Sequence, residues 1–146
     1  MTDDLDDEDG RDFWNWIETN YELSLISDVL NTFFVIDKQT NAVLGTGSIV
    51  KDDRDMGKKY GLDGIWLGGI NINRKYRSCN LGTILVQYLH QFIQQSLTPD
   101  EQIIVNLFTD SEQAKQMYIK LGYQSHGQIV VEHFNSQEEL FRKIFK

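Results

Sequence analysis

Apolar and polar positions along this chain follow a period that switches between helix and strand. In FWNWIETNYELSLISDVL, residues 13–30, the apolar side chains Phe13, Trp14, Ile17, Tyr21 and Leu25 fall near helical spacing. That spacing predicts one or two helices ending before Asn31, with the aromatics in the core. TFFVIDKQTNAVLGTGSIV, residues 32–50, then reads as two strands around the turn KQTN. KDDRDMGKKYGLD, residues 51–63, is a charged loop punctuated by glycine, and GIWLGGINI, residues 64–72, is a third strand. The Gly68-Gly69 pair inside that strand marks a bulge or a close approach to the backbone. Ile84, Leu85, Tyr88, Leu89, Phe92 and Ile93 then form one face of a helix.

QIIVNLF, residues 102–108, is short and apolar enough for a central strand. TDSEQAKQMYIKLGY, residues 109–123, is a second amphipathic helix. Thr109 and Glu112 have capping-box spacing, Ala114, Met117, Tyr118 and Leu121 form the buried face, and Gly122 sits at the helix end. Residues 128–134 and 139–145 alternate as a closing pair of strands, though the second also reads as a short helix. Strand–helix–strand in the middle implies a parallel pair, and the flanks imply antiparallel hairpins. The expectation is an α/β class chain, with a mixed sheet and helices on its faces.

At 146 residues the chain suits one domain, expected over 13–146 behind an acidic, disordered tail over 1–12. That tail, MTDDLDDEDGRD, holds seven acids and one arginine, so −6 of the net −8 lies there and −2 in the rest. Without a basic face, nucleic acid is not an expected partner. No apolar h-region or membrane-length run is present, so neither export nor a membrane is expected, and the location is read as cytoplasmic. One cysteine, Cys79, and three scattered histidines leave no internal disulfide and no metal-site spacing.

The chemistry concentrates at INRKYRSCNLGT, residues 72–83. Basic and turn-permissive residues precede a helix start, whose unpaired N–H groups and partial positive charge suit an anion such as a phosphate. This segment resembles a signature of the GNAT superfamily of acyl-CoA N-acyltransferases, Arg/Gln-x-x-Gly-x-Gly/Ala, here R77-S-C-N-L-G82. A114-K-Q-M-Y118-I-K-L-G-Y123 resembles that family's later helix, and the hairpin FFVIDKQTNAVLGTGSI its second and third strands. The similarity covers roughly residues 32–134. The chain departs from the pattern at Asn80, where the family has Gly, although Asn tolerates positive φ. It also has an acidic, turn-like segment where the family has its first strand, so a regular first strand is lost, shortened or built from unexpected residues.

The resemblance implies a GNAT-like sheet splayed between the fourth and fifth family strands, with acetyl-CoA as co-substrate and no metal. It implies an N-acetyltransferase in which a primary amine attacks the thioester directly. The alternative is an inactive relative that binds acyl-CoA or a protein partner. By the same comparison, Arg77, Ser78, Cys79, Asn80, Leu81, Gly82 and Thr83 hold the pyrophosphate, with Arg74 and Lys75 toward the 3′-phosphate or simply solvated. Ile70, Asn71 and Ile72 pair with the pantetheine arm, Ser111 touches that arm or caps its helix, and Tyr118 is the general acid. Cys79 has no base nearby in sequence and reads as a loop residue rather than a nucleophile. The base stays open among Asp63, an ordered water and the loop acids Asp52, Asp53 and Asp55, which read first as solvated. The acceptor is a small-molecule or peptide amine, and homodimers are common in such folds.

Overall fold

DKQTN closes the first hairpin because one aspartate organises its turn. Asp37 Oδ1 accepts from the backbone N–H groups of Gln39 (2.7 Å) and Thr40 (3.1 Å), and Asn41 takes a left-handed φ of 61°. In the computed structural model, which describes residues 29–131 and 135–146, this turn joins β1 (Val29–Ile36) to β2 (Val43–Val50). There follow α1 (Met56–Tyr60), β3 (Ile65–Ile72), a 3-10 turn (Arg74–Cys79) and α2 (Leu81–Ser96). The chain ends with β4 (Ile103–Thr109), α3 (Glu112–Lys120), β5 (Gln124–Val131) and β6 (Ser136–Phe145).

The six described strands form one mixed sheet in the order β1-β2-β3-β4-β6-β5. All neighbours are antiparallel except β3 and β4, whose parallel pairing joins Ile65 to Val105 and Trp66 to Asn106. Period-2 alternation sends adjacent residues to opposite faces. Ile49, Leu67, Val105, Leu107 and Phe141 pack with Leu85, Val86 and Leu89 of α2 and Tyr118 of α3. Their neighbours Val50, Trp66 and Leu140 pack on the other face with Met56 of α1, Ile129 and Val131.

Several expectations are corrected. The loop over 51–63 contains α1, which Asp52 stabilises by accepting from the N–H groups of Gly57 (2.7 Å) and Lys58 (3.0 Å). The buried arc of α2 is Leu85, Val86, Leu89 and Ile93, whereas Ile84 and Tyr88 are exposed. The sheet covers a narrower arc than the apolar stripe, and Tyr88 instead meets the edge of Phe33. Ser111, not Thr109, caps α3: its Oγ accepts from Ala114 N–H at 3.3 Å. Residues 139–145 form a strand, as their alternation indicates, and not the alternative short helix, because they pair continuously with β4 from Glu139 to Phe145. The helix expected over 13–30 lies outside the described residues, save Val29 and Leu30, which open β1. The tail over 1–12, any first family strand and the end of the strand expected over 128–134 also lie outside them.

The short β3–β4 contact is fastened by a buried polar cluster. Asn106, with no exposed surface, donates from Nδ2 to the carbonyls of Asp63 (2.8 Å) and Ile65 (3.3 Å). Arg142 on β6 donates from Nε to Asn106 Oδ1 (2.6 Å) and from a terminal nitrogen to Asp63 Oδ1 (2.8 Å). The cluster bonds β3, β4 and β6 where they meet. Replacing Asn106 by Leu strands the Arg142 Nε–H and takes the side-chain donor from the Ile65 carbonyl, while the Asp63 carbonyl keeps a terminal nitrogen of Arg142 at 3.1 Å; each group left unsatisfied costs about 1–3 kcal/mol. Asn106→Leu is therefore expected to lower stability by about 2–4 kcal/mol. Urea unfolding monitored by Trp fluorescence checks this, and a loss below about 0.5 kcal/mol would show the cluster to be dispensable.

Candidate active site

β3 leaves its parallel partner after Trp66 because its own backbone bends. Thr46 pairs with Asn71 and Ser48 with Gly68, so Gly69 and Ile70 stand opposite Gly47 alone. This is a bulge, and Gly69 supports it with a φ of 61° that other residues rarely take. β4 stays straight against β6. The strands therefore part, and a cleft of about 930 Å³ opens between them. Along one wall run residues 67–72 of β3, and along the other residues 107–109 of β4 and one face of α3.

The residues expected from the sequence largely converge here. Ile70, Asn71, Ile72, Arg77, Asn80, Gly82, Thr83, Ser111 and Tyr118 all line the cleft. Leu81 does not line it and packs, half-buried, against the core under α2. Ser78 and Cys79 lie in the 3-10 turn before α2. Asn80 adopts φ 63° and ψ 17°, so the loop forms without glycine, and its side chain makes no cap hydrogen bond to α2. No acid occupies the first turn of α2. Its N-terminal N–H groups and partial positive charge face the cleft mouth without carboxylate competition from that turn. Arg77 has a bracing role: Nε donates to the Ile72 carbonyl (3.0 Å) and a terminal nitrogen reaches Asn71 Oδ1 (3.4 Å). It ties the turn to the end of β3.

Tyr118 is 5% exposed and lines the cleft, edge-on to Tyr123. Burial pushes its phenol up to about 12, so it is a proton holder throughout the neutral range. The hydroxyl of Tyr123 is taken by His90 Nε2 at 2.7 Å and lies behind Tyr118. Burial and then the Lys143 charge lower His90 to about 4, so that ring is neutral.

Among the acids left open by the sequence, the structure separates three. Asp63 is exposed, held by Arg142 and lowered by that hydrogen bond, and it lies at the closed end of the splay. Asp52 caps α1. Asp53, expected to be solvated, instead lines the cleft. A β-carbon placed on Gly68 would come within 3.1 Å of its Oδ2. Glycine at 68 thus keeps the strand thin where a carboxylate lies against it. Burial raises Asp53 to about 6, with the neighbouring Arg54 pulling it back and Asp52 adding to the rise.

Sequence reasoning also missed Met117, Gln116 and Lys120 of α3 as part of the wall. The glycine pair was the one available signal for Asp53. Nothing in KDDRD by itself separates Asp53 from its acidic neighbours. Among the described residues no cluster of His, Cys, Asp or Glu is suited to a metal ion, and no helix is long and apolar enough to cross a membrane.

A family described as "Acetyltransferase (GNAT) family" matches residues 2–123. No curated protein matches the chain in sequence. Several solved structures share its fold at low identity. A Corynebacterium glutamicum structure described as histone acetyltransferase HPA2 and related acetyltransferase is 15% identical, with TM-score 0.62 over 88% of this chain and 74% of that one. An aminoglycoside 6′-N-acetyltransferase complexed with coenzyme A is 16% identical, with TM-score 0.61 over 86% and 77%. A variant of a spermidine N-acetyltransferase from Vibrio cholerae is 14% identical, with TM-score 0.58 over 90% and 73%.

Asp53 has a stability signature. Its folded value of about 6 lies above the ordinary 3.8, so the native state takes up this proton first. The cost of burying the charge is fully present above pH 6 and vanishes below the ordinary value. Asp53→Asn is therefore expected to raise stability at pH 8 by on the order of 2 kcal/mol, with the gain fading as pH falls through 6 toward 4. Thermal melts across pH check this. A variant no more stable than the parent at pH 8 would mean the carboxylate is solvated.

Proposed function

The chain belongs to the acetyltransferase (GNAT) family, and we propose that it transfers an acetyl group from acetyl-CoA to a primary amine by direct attack on the thioester. The observation that carries this reading is the convergence, on one splayed strand pair, of an open strand edge, a helix N-terminus and a half-buried carboxylate. The fold likeness to structures holding coenzyme A or acting on spermidine and aminoglycosides supports it.

The residues fit such a ligand. Residues 67–72 have no β4 partner, so one edge of β3 offers N–H and C=O groups to an extended amide-bearing arm. The N-terminal N–H groups of α2, with Gly82 and Thr83, suit a pyrophosphate at the mouth, and Ser111 lies beside the arm's path while capping α3. Acetyl-CoA supplies the acyl group already activated as a thioester.

The chain then has three tasks. Asp53, titrating near 6, is ionised at neutral pH and accepts the proton that a protonated amine must lose before it attacks. A backbone N–H at the β3 bulge, near Ile70, donates to the oxygen that gains charge during attack. Tyr118 donates a hydrogen bond to the departing sulfur. A phenol at about 12 faces a thiol near 8.5, so complete proton transfer runs uphill by roughly 5 kcal/mol, and the hydrogen bond is the larger contribution. After attack the nitrogen sheds a second proton, which the departing thiolate takes directly or through solvent, and the proton held by Asp53 returns to solvent.

The test is thiol release from acetyl-CoA in the presence of a panel of primary amines. Turnover is expected to rise with pH through a limb near 6 that disappears in Asp53→Asn. Tyr118→Phe is expected to lose on the order of 10²-fold in kcat with acetyl-CoA binding unchanged. Unaltered kcat would remove Tyr118 from the mechanism. Acetyl-CoA binding without turnover on any amine would favour a binding relative, for which the polar Asn80 at the mouth is the structural argument.

A further inference from the structure

The segment that carries Asp53 is wound against its own backbone preferences. Arg54 and Asp55 follow with φ of 52° and 61°, a left-handed pair that side chains with a β-carbon disfavour. The winding reverses the chain at once, and Met56 N–H donates to the Asp53 carbonyl at 3.0 Å. It also sends two neighbouring carboxylates apart. Asp52 turns to α1, where a β-carbon on Gly57 would come within 2.9 Å of its Oδ1, and Asp53 turns over Gly68. Strain of this kind persists only where the surroundings over-determine it, and it collects at functional sites.

Two anchors on α1 supply that constraint. The helix has five residues, too few to persist alone. At its start Met56 is buried in the cluster of Trp66, Ile129, Val131 and Leu140. At its end the Tyr60 hydroxyl accepts from Val130 N–H at 2.9 Å and donates to Val130 C=O at 3.2 Å. The hydroxyl thus takes the place of a strand partner on β5, the last described strand of the sheet. Covering one residue of an eight-residue edge protects that edge little. What the clamp does fix is the far end of α1, and through α1 the wound segment before it.

We propose that Tyr60 is a positioning residue: its clamp on Val130 holds the segment from Asp52 to Tyr60 closed, and the closed segment keeps the Asp53 carboxylate over Gly68 in the cleft wall. This rests on the reading of Asp53 as the proton acceptor of an amine-acetylating site. Without the clamp the left-handed pair can relax and carry Asp53 into solvent. The charged groups facing Asp53 are Asp52 and Arg54 of its own segment and Glu138 of β6, while β3 presents only glycine. Tyr60 therefore acts on Asp53 through its place, not through charge.

The experiment follows the Asp53 carboxyl carbon by NMR across pH, in the full chain without ligand, with the signal assigned by its loss in Asp53→Asn. Tyr60→Phe removes the hydroxyl and keeps the ring, and at 39% exposure it leaves the core untouched. The parent carboxyl is expected to titrate near 6. In Tyr60→Phe its midpoint is expected to drop to about 5 or lower, toward the ordinary 3.8, because solvation removes the burial that raised it. Turnover is expected to fall on the order of tenfold in kcat with acetyl-CoA affinity unchanged. In the Asp53→Asn background the same change is expected to cost nothing further. A midpoint unmoved in Tyr60→Phe, or a parent midpoint already at the ordinary value, would overturn the proposal with no turnover needed to read it. So would a kcat loss of equal size in the Asp53→Asn background. A midpoint that moves in a chain that acetylates no amine would leave the positioning intact and count against the acetyltransferase reading alone.

Discussion

The arrangement depends on how little of β3 is paired with β4. β3 is bonded to β2 along its length, but to β4 only around Ile65 and Trp66. A sheet that parts in its middle exposes polar backbone on both strands, which is unfavourable unless another group satisfies it. Two features hold the split at that length. The Asn106–Arg142–Asp63 cluster closes one end, and the Gly69 bulge turns β3 away at the other. Lengthening the pairing would fill the cleft, and losing the cluster would leave the two halves of the sheet joined by a very short contact.

The split also divides the electrostatics. On the α2 side stand the helix N-terminus, the Arg77-braced turn and Asn80 in its left-handed conformation. On the other side stand Asp53, Asp110 and Glu138 with Arg54. Gly68 and Gly69 of β3 line the opening between these two sides. Tyr118 borders the same opening from α3, with its proton held by burial.

Much of this was legible in the sequence, because it depends on local chemistry. The alternating strands, the basic turn before a helix and the Ala114–Tyr123 helix each carry their own pattern, and the structure places them where the mixed sheet requires. Gly68-Gly69 was readable as a bulge or a close approach, and it is both. What failed depends on partners distant in sequence. The buried arc of α2 is decided by the sheet beneath it, so Val86 is covered and Ile84 is not. Asp53 differs from Asp52 only in which way the loop turns it over β3. Glu138 reads as one more surface acid until β6 pairs with β4 and β5, and Leu140 shows which face it shares.

The most direct test of the split-sheet site is amide hydrogen exchange with and without acetyl-CoA. If the open edge of β3 and the start of α2 form the binding surface, slowed exchange concentrates at Ile70–Ile72 and at Gly82–Thr83, with β1 and β5 unchanged. If acetyl-CoA binds and these amides exchange as before, while protection appears elsewhere, the cleft between β3 and β4 is not the site.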